Sequence, residues 1–135
     1  MMKGTYPVEI RFKDIDLAGH VHNSVYLSYF EQARMMLFAE FVADDWDWKS
    51  KGLILARNEI DYILPVHLGD KIHISIECDH IGTKSFTLSY RLFSEDDNKN
   101  QLVHTTGRSI LVCMDYNSQK TIPVYKEWIE FLEIL

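Results

Sequence analysis

The stretch RFKDIDLAGHVHNSVYLSYFEQAR, Arg11 to Arg34, runs from the end of a strand through a polar, glycine-containing turn into a long apolar helix. It concentrates a carboxylate at Asp16, imidazoles at His20 and His22, an amide at Asn23 and a helix start. Asn23 or Ser24 suits the N-cap, because a short polar side chain can accept a bond from an orphan backbone N–H. An acid is thereby placed beside free amide donors. That combination suits acyl transfer: the carboxylate attacks or activates water, while the donors and the positive helix end stabilise a developing oxyanion.

Outward from this stretch the pattern is that of an α+β domain. Residues 6–12 alternate Val8, Ile10 and Phe12 with Glu9, Arg11 and Lys13, which predicts a strand. Residues 23–42 predict a helix, with Tyr26, Tyr29, Phe30, Ala33, Leu37 and Phe41 recurring at helical spacing. So apolar a helix needs cover on most sides. Four strands supply it, over residues 53–64, 71–80, 85–94 and 103–115. In the second of them Ile72, Ile74, Ile76 and Cys78 face one way and His73, Ser75, Glu77 and Asp79 the other. The polar run from Glu95 to Asn100 predicts a hairpin and an antiparallel sheet. Residues 43–52 read as a long, mobile connector, and residues 122–135 as a short C-terminal helix.

Composition bounds the rest. The 135 residues, 47% hydrophobic and 25% charged, fit one domain of an ordinary globular kind. A net charge of −6 argues against a nucleic-acid partner, though not against a small anionic ligand held by a few local cations. No run approaches the roughly 18 apolar residues of a membrane span, and MMKGTYPVEIRF lacks the apolar core of a signal peptide, so a cytoplasmic location is expected. Cys78 and Cys113 have no Cys-x-x-Cys spacing and read as free thiols.

The motifs resemble the signature of hotdog-fold acyl-CoA thioesterases of the 4-hydroxybenzoyl-CoA thioesterase type. The match runs through Asp14-x-Asp16, Gly19-His20-Val21-x-Asn23, Tyr26 and Tyr29-Phe30-Glu31-x-Ala33-Arg34. It continues through Asp61-Tyr62-x-x-Pro65, Gly69-Asp70 and the residues Ile81 to Phe86. The resemblance implies a single hotdog domain over residues 1–135, with a long buried helix against a curved antiparallel sheet of about five strands. It further implies hydrolysis of an acyl-CoA, with the acyl group unspecified, at two sites per homodimer formed at the subunit interface. Dimers of this kind often pair into homotetramers. No cofactor beyond the CoA of the substrate is required, and no metal. An acyl carrier protein as the thioester carrier and a non-catalytic acyl-CoA-binding domain are the alternatives.

Individual residues carry a functional and a plainer reading. Asp16 falls on the second acid of the Asp-x-Asp motif and is implied as nucleophile or general base, whereas an Asp before a turn commonly caps its own loop. His20 is implied as a turn-fixing and substrate-side residue. His-x-His beside Asp16 also admits a weak metal reading. Asn23 orients water or the thioester, its amide being no base. Tyr26 lines an acyl pocket or simply packs in the core. Glu31, on an apolar helix, needs a partner, and Arg34 is the nearest on its face; the resemblance places this Glu close enough to position water. Gly82, Thr83, Lys84 and Ser85 offer amides, hydroxyls and a cation to a CoA phosphate or pantetheine, or form a hairpin turn alone.

Overall fold

The computed structural model describes residues 3–135. Its strands are β1 (Thr5–Val8), β2 (Gly52–Tyr62), β3 (Ile72–Ile81), β4 (Ser85–Glu95), β5 (Gln101–Asp115) and β6 (Lys120–Thr121). Two helices accompany them, α1 (Tyr26–Phe41) and α2 (Lys126–Ile134). All pairings are antiparallel, in the order β1-β3-β4-β5-β2, with β6 attached to the far end of β5. Register shifts between Leu55 and Arg57, Cys78 and His80, and Leu92 and Phe93 curl the sheet, since an extra residue in one strand bends it. The result is the hotdog arrangement, a long helix on a curled antiparallel sheet.

The core follows from two periodicities. Tyr26, Tyr29, Phe30, Ala33 and Leu37 make one buried face of α1, and Ile72, Ile74, Ile76, Phe86, Leu88, Tyr90 and Leu92 make the concave face of the sheet. Phe30 stacks on Tyr90 at 4.5 Å between ring centroids. Gly107 is what lets the helix come this close. A Cβ there would lie 2.7 Å from the Phe30 ring and 2.9 Å from the Glu59 carbonyl oxygen, closer than van der Waals contact allows.

Three expectations change. The first strand stops at Val8, and Phe12–Asp14 form a 3-10 turn that buries Asp14. The helix begins at Tyr26 after a 3-10 turn Asn23–Val25. The side-chain cap belongs to that turn, where His22 Nδ1 accepts the Ser24 N–H at 3.2 Å, while α1 itself starts from Val25 with no side-chain cap, so neither Asn23 nor Ser24 serves as one. Residues 43–51 are not a loose connector. Trp46 packs 5.0 Å from the buried Trp128 ring and donates Nε1–H to the Lys51 carbonyl, while the Lys49 carbonyl accepts the Tyr116 N–H. The two tryptophans of that segment, Trp46 and Trp48, cover α2, so the composition that suggested a linker in fact supplies a lid on the core. Among the described residues no helix is long and apolar enough to cross a membrane.

Candidate active site

The loop between the Phe12–Asp14 turn and α1 is built around two aspartates with different environments. Asp14 is 2% exposed. Its carboxylate accepts the Arg11 N–H at 3.0 Å and the Tyr29 hydroxyl at 2.7 Å, with the Arg11 guanidinium 3.7 Å away. Burial alone pushes an acid up, but these donors and the positive charge outweigh it and hold Asp14 below its ordinary value. The Asp14 carbonyl also accepts the His22 N–H at 2.8 Å, so both ends of the loop are tied to one buried residue and, through Tyr29, to α1.

Asp16 lies inside that loop and is half-buried. Its Oδ1 accepts the N–H of Ala18 at 2.9 Å and of His20 at 3.1 Å. Backbone bonds from Asp16 N to His20 O and from Gly19 N to Asp16 O close the turn, and Gly19 takes φ of +82° there. The loop-capping role therefore falls on one oxygen alone. Oδ1 is consumed by the loop, while Oδ2 accepts nothing among the described residues. The free donors expected around Asp16 are largely taken by Asp16 itself. Two N–H groups of the loop find no acceptor among the described residues, those of Leu17 and Asn23, and of the two only Asn23, at the start of the 3-10 turn leading into α1, lines the cleft described next.

Asp16, His20, Asn23 and Tyr26 line one cleft of about 300 Å3. The opposite wall is Tyr62, Ile63, Leu64 and Pro65. The Tyr62 hydroxyl donates to the Asn23 carbonyl at 3.0 Å and its ring meets Tyr26 edge-on at 5.2 Å, so the end of β2 is fastened to the helix start. Burial raises the Tyr26 hydroxyl, which stays a neutral donor and acceptor over the working pH range. His20 contributes mainly through its backbone. Its ring sits edge-on to His67 at 5.0 Å, and the two residues form an isolated antiparallel bridge. His22 is exposed and its Nδ1 is engaged by Ser24. Among the described residues no group of three His, Cys, Asp or Glu side chains is arranged to hold a metal ion.

Two sets of expected site residues lie elsewhere in the protomer. Glu31 is exposed on α1 and does not line the cleft, nor does it pair with Arg34. The Arg34 side chain turns inward instead, where its Nη1 donates to Tyr90 Oη at 3.1 Å and reaches Ser109 Oγ at 3.5 Å. Neighbours three apart on a helix diverge when one faces the core and the other solvent. The turn of Gly82, Thr83, Lys84 and Ser85 joins β3 to β4 at the end of the sheet opposite the cleft. The ten residues of β3 separate them by about 30 Å at the strand rise. Its backbone is well occupied, with Gly82 N–H bonded to Ser85 O, and the Thr83 and Lys84 carbonyls accepting from Val124 and Cys113. Lys84 itself is exposed.

The wall residues Ile63 and Leu64 were not candidates from sequence; the Tyr62-x-x-Pro65 motif was the available signal, since a proline ends a strand and starts an irregular segment.

Known proteins resemble the chain over nearly its whole length. The family model described as the thioesterase-like superfamily matches residues 10–132. The 1,4-dihydroxy-2-naphthoyl-CoA hydrolase of Synechococcus elongatus is 29% identical, over 93% of this chain and 91% of that protein. A long-chain acyl-CoA thioesterase of Escherichia coli is 26% identical, over 93% of this chain and 94% of its own length. A Thermus thermophilus thioesterase solved with coenzyme A and zinc superposes with a TM-score of 0.80 at 28% identity, covering 98% of this chain and 96% of that one.

Proposed function

Because the chain belongs to the thioesterase-like superfamily, we propose that it hydrolyses the thioester of an acyl-CoA in the cleft between the Asp16 loop, the start of α1 and residues 62–65. The observation that carries the reading is the division of labour on Asp16. One oxygen is locked by two backbone N–H groups and the other is open in a cleft that also holds the unpaired Asn23 N–H. Fixing one oxygen orients the other before substrate arrives. Capping alone requires no open oxygen beside a spare donor.

Two routes use the same atoms. As a base, Asp16 takes a proton from water as the oxygen of that water bonds to the thioester carbonyl carbon; collapse of the tetrahedral adduct breaks the C–S bond and CoA leaves as thiolate, which is then protonated. As a nucleophile, the Asp16 oxygen itself bonds to that carbon, the thiolate leaves, and water cleaves the resulting anhydride. In both, negative charge grows on the thioester oxygen, where the Asn23 N–H at the helix start stabilises it.

A second copy of the chain completes the site. β2 ends the sheet and shows one unpaired edge over all eleven residues among those described. Antiparallel pairing of β2 with its copy, about a two-fold axis near Arg57, sets Tyr62 opposite the partner's Gly52. Gly52 pairs with Met114 and Ser85 with Val112, so that end of the partner carries its Lys84 turn. The turn that lies far from Asp16 within one protomer is thereby delivered to the cleft from the other. Lys84 is assigned to a CoA phosphate on this arrangement. Exposed Leu17, Ile63 and Leu64 beside the cleft are apolar surface that such a partner covers.

The relatives' names span a dihydroxynaphthoyl and a long-chain acyl group, so the decisive experiment is a panel. Thiol release is followed from aromatic, short branched, medium and long straight-chain acyl-CoA. Hydrolysis of at least one class with kcat/KM of about 10⁴ M⁻¹s⁻¹ or more is expected. Binding of CoA with no release from any thioester would make the chain a binding domain instead.

A further inference from the structure

His104 is buried at 6% exposure, yet it neither lines the cleft nor belongs to any motif that pointed to it. It occupies an unusual place in the sheet. Leu92 pairs with Thr105 and Phe93 with Val103, so His104 is the extra residue of a bulge in β5. The alternation of β5 breaks at the same point, with His104 and Thr105 both buried in succession. A bulge leaves one residue out of the ladder and re-aims its side chain.

The carbonyl of His104 and one ring nitrogen are directed at the cleft wall. Its carbonyl accepts the N–H of Ile63 at 2.9 Å and of Leu64 at 3.0 Å. Its Nδ1 lies 3.0 Å from the Pro65 carbonyl oxygen, and its Nε2 lies 2.7 Å from Ser94 Oγ. A carbonyl oxygen can only accept, so Nδ1 carries the proton and donates it. Nε2 then pairs with the Ser94 hydroxyl. The next residue, Val66, is fully buried and its carbonyl accepts the Val21 N–H at 2.7 Å, which joins the same wall to the Asp16 loop. Residues 63–66 form no regular element, and three bonds to one histidine give them a fixed course.

We propose that His104 is a positioning residue for the Asp16 cleft, holding residues 63–65 at a set distance from Asp16 and Asn23 through the bond from Nδ1–H to the Pro65 carbonyl. This rests on the proposed thioester hydrolysis at that cleft. A wall that shifts by a fraction of an ångström leaves CoA binding intact but misplaces the carbonyl carbon relative to the open Asp16 oxygen, so the effect falls on kcat.

The test uses isosteres. Asparagine puts an amide N–H where Nδ1 stands, and glutamine puts one where Nε2 stands. His104→Gln should lower kcat about tenfold with KM within about twofold of wild type, whereas His104→Asn should recover most of it. Ser94→Ala, which frees the ring at Nε2 at a residue that does not line the cleft, should give a smaller fall in kcat in the same direction. Amide hydrogen exchange at Ile63 and Leu64 gives a readout independent of turnover, with faster exchange expected in His104→Gln than in His104→Asn. Equal kcat in folded His104→Gln and wild type overturns the inference, as does equal loss in the glutamine and asparagine variants. If His104→Gln does not fold, unchanged kcat in Ser94→Ala overturns it. Unchanged exchange at both amides does so even where the wild type hydrolyses no thioester, and that last result would separately overturn the proposed function.

Discussion

Replacing Tyr29 by Phe removes a single oxygen from the core and tests how the Asp16 loop is held. The Tyr29 hydroxyl, 1% exposed as a residue, donates at 2.7 Å to a carboxylate that is itself buried. Burial raises the Tyr29 hydroxyl, and its bond to Asp14 raises it further, so it remains a donor at every working pH. Phenylalanine fills the same space, so no cavity term enters. The loss is one hydrogen bond to a buried charge, about 1.5–3 kcal/mol. For a chain of this size that corresponds to a fall in Tm of about 5–10 °C. The pH dependence follows from Asp14. Its folded value is depressed below the ordinary 3.8, so its ionised form contributes stability above that pH, and the contribution is lost as pH falls through the folded value. The Tyr29→Phe penalty is therefore full at neutral pH and shrinks below about pH 4. Urea denaturation of wild type, Tyr29→Phe, Asp14→Ala and the double variant measures the coupling directly. A coupling energy near zero, or a Tm loss under about 1 °C for Tyr29→Phe, would refute this account of the loop.

Other consequences are open to measurement. Lys84→Ala should raise KM for acyl-CoA several-fold, the effect of losing a charge-assisted bond of about 1–2 kcal/mol, and leave a truncated thioester without the nucleotide unaffected; equal loss on both substrates would make Lys84 structural. Light scattering should find at least a dimer in the active species, and an active monomer at dilute concentration would defeat the two-fold arrangement proposed for β2. Glu31→Gln should change stability by no more than about 0.5 kcal/mol, because the side chain is exposed and pairs with no cation among the described residues; a larger loss in urea denaturation would restore the ion pair with Arg34. Gly107→Ala should destabilise by about 1–3 kcal/mol through its clash with Phe30, and a neutral result would mean that α1 is free to shift.

Local rules made much of the fold legible. The alternation of Ile72, Ile74 and Ile76 against His73, Ser75 and Glu77 marks β3 and its buried face without any tertiary knowledge. The aromatic stripe from Tyr26 to Leu37 does the same for α1. What escaped depends on contacts made at a distance. The helix start shifts because residues 23–25 take a 3-10 turn capped by a histidine ring, an acceptor no capping propensity favours, and α1 then begins at Tyr26 without a side-chain cap. Residues 43–51 looked like a linker because Asp44, Asp45, Asp47 and Lys49 dominate their composition, while Trp46 and Trp48 find their partner only in α2. Glu31 and Arg34 share a spacing but not an environment, and spacing alone cannot show which of two neighbours faces a sheet. In the site, the turn and helix start grouped Asp16, His20 and Asn23 by proximity in the chain. The opposite wall and His104 come from β2 and β5, and a bulge position has no signature in a single sequence.

The central claim is that the open oxygen of Asp16 performs the chemistry. Asp16→Asn is the sharpest test because the amide oxygen of asparagine can still accept the N–H bonds of Ala18 and His20, so the loop keeps its shape while the charge is removed. With an acyl-CoA that the wild type hydrolyses, kcat should fall by about 10²-fold or more at unchanged Tm and nearly unchanged KM. Turnover within a few-fold of wild type in the folded Asp16→Asn protein would contradict the account.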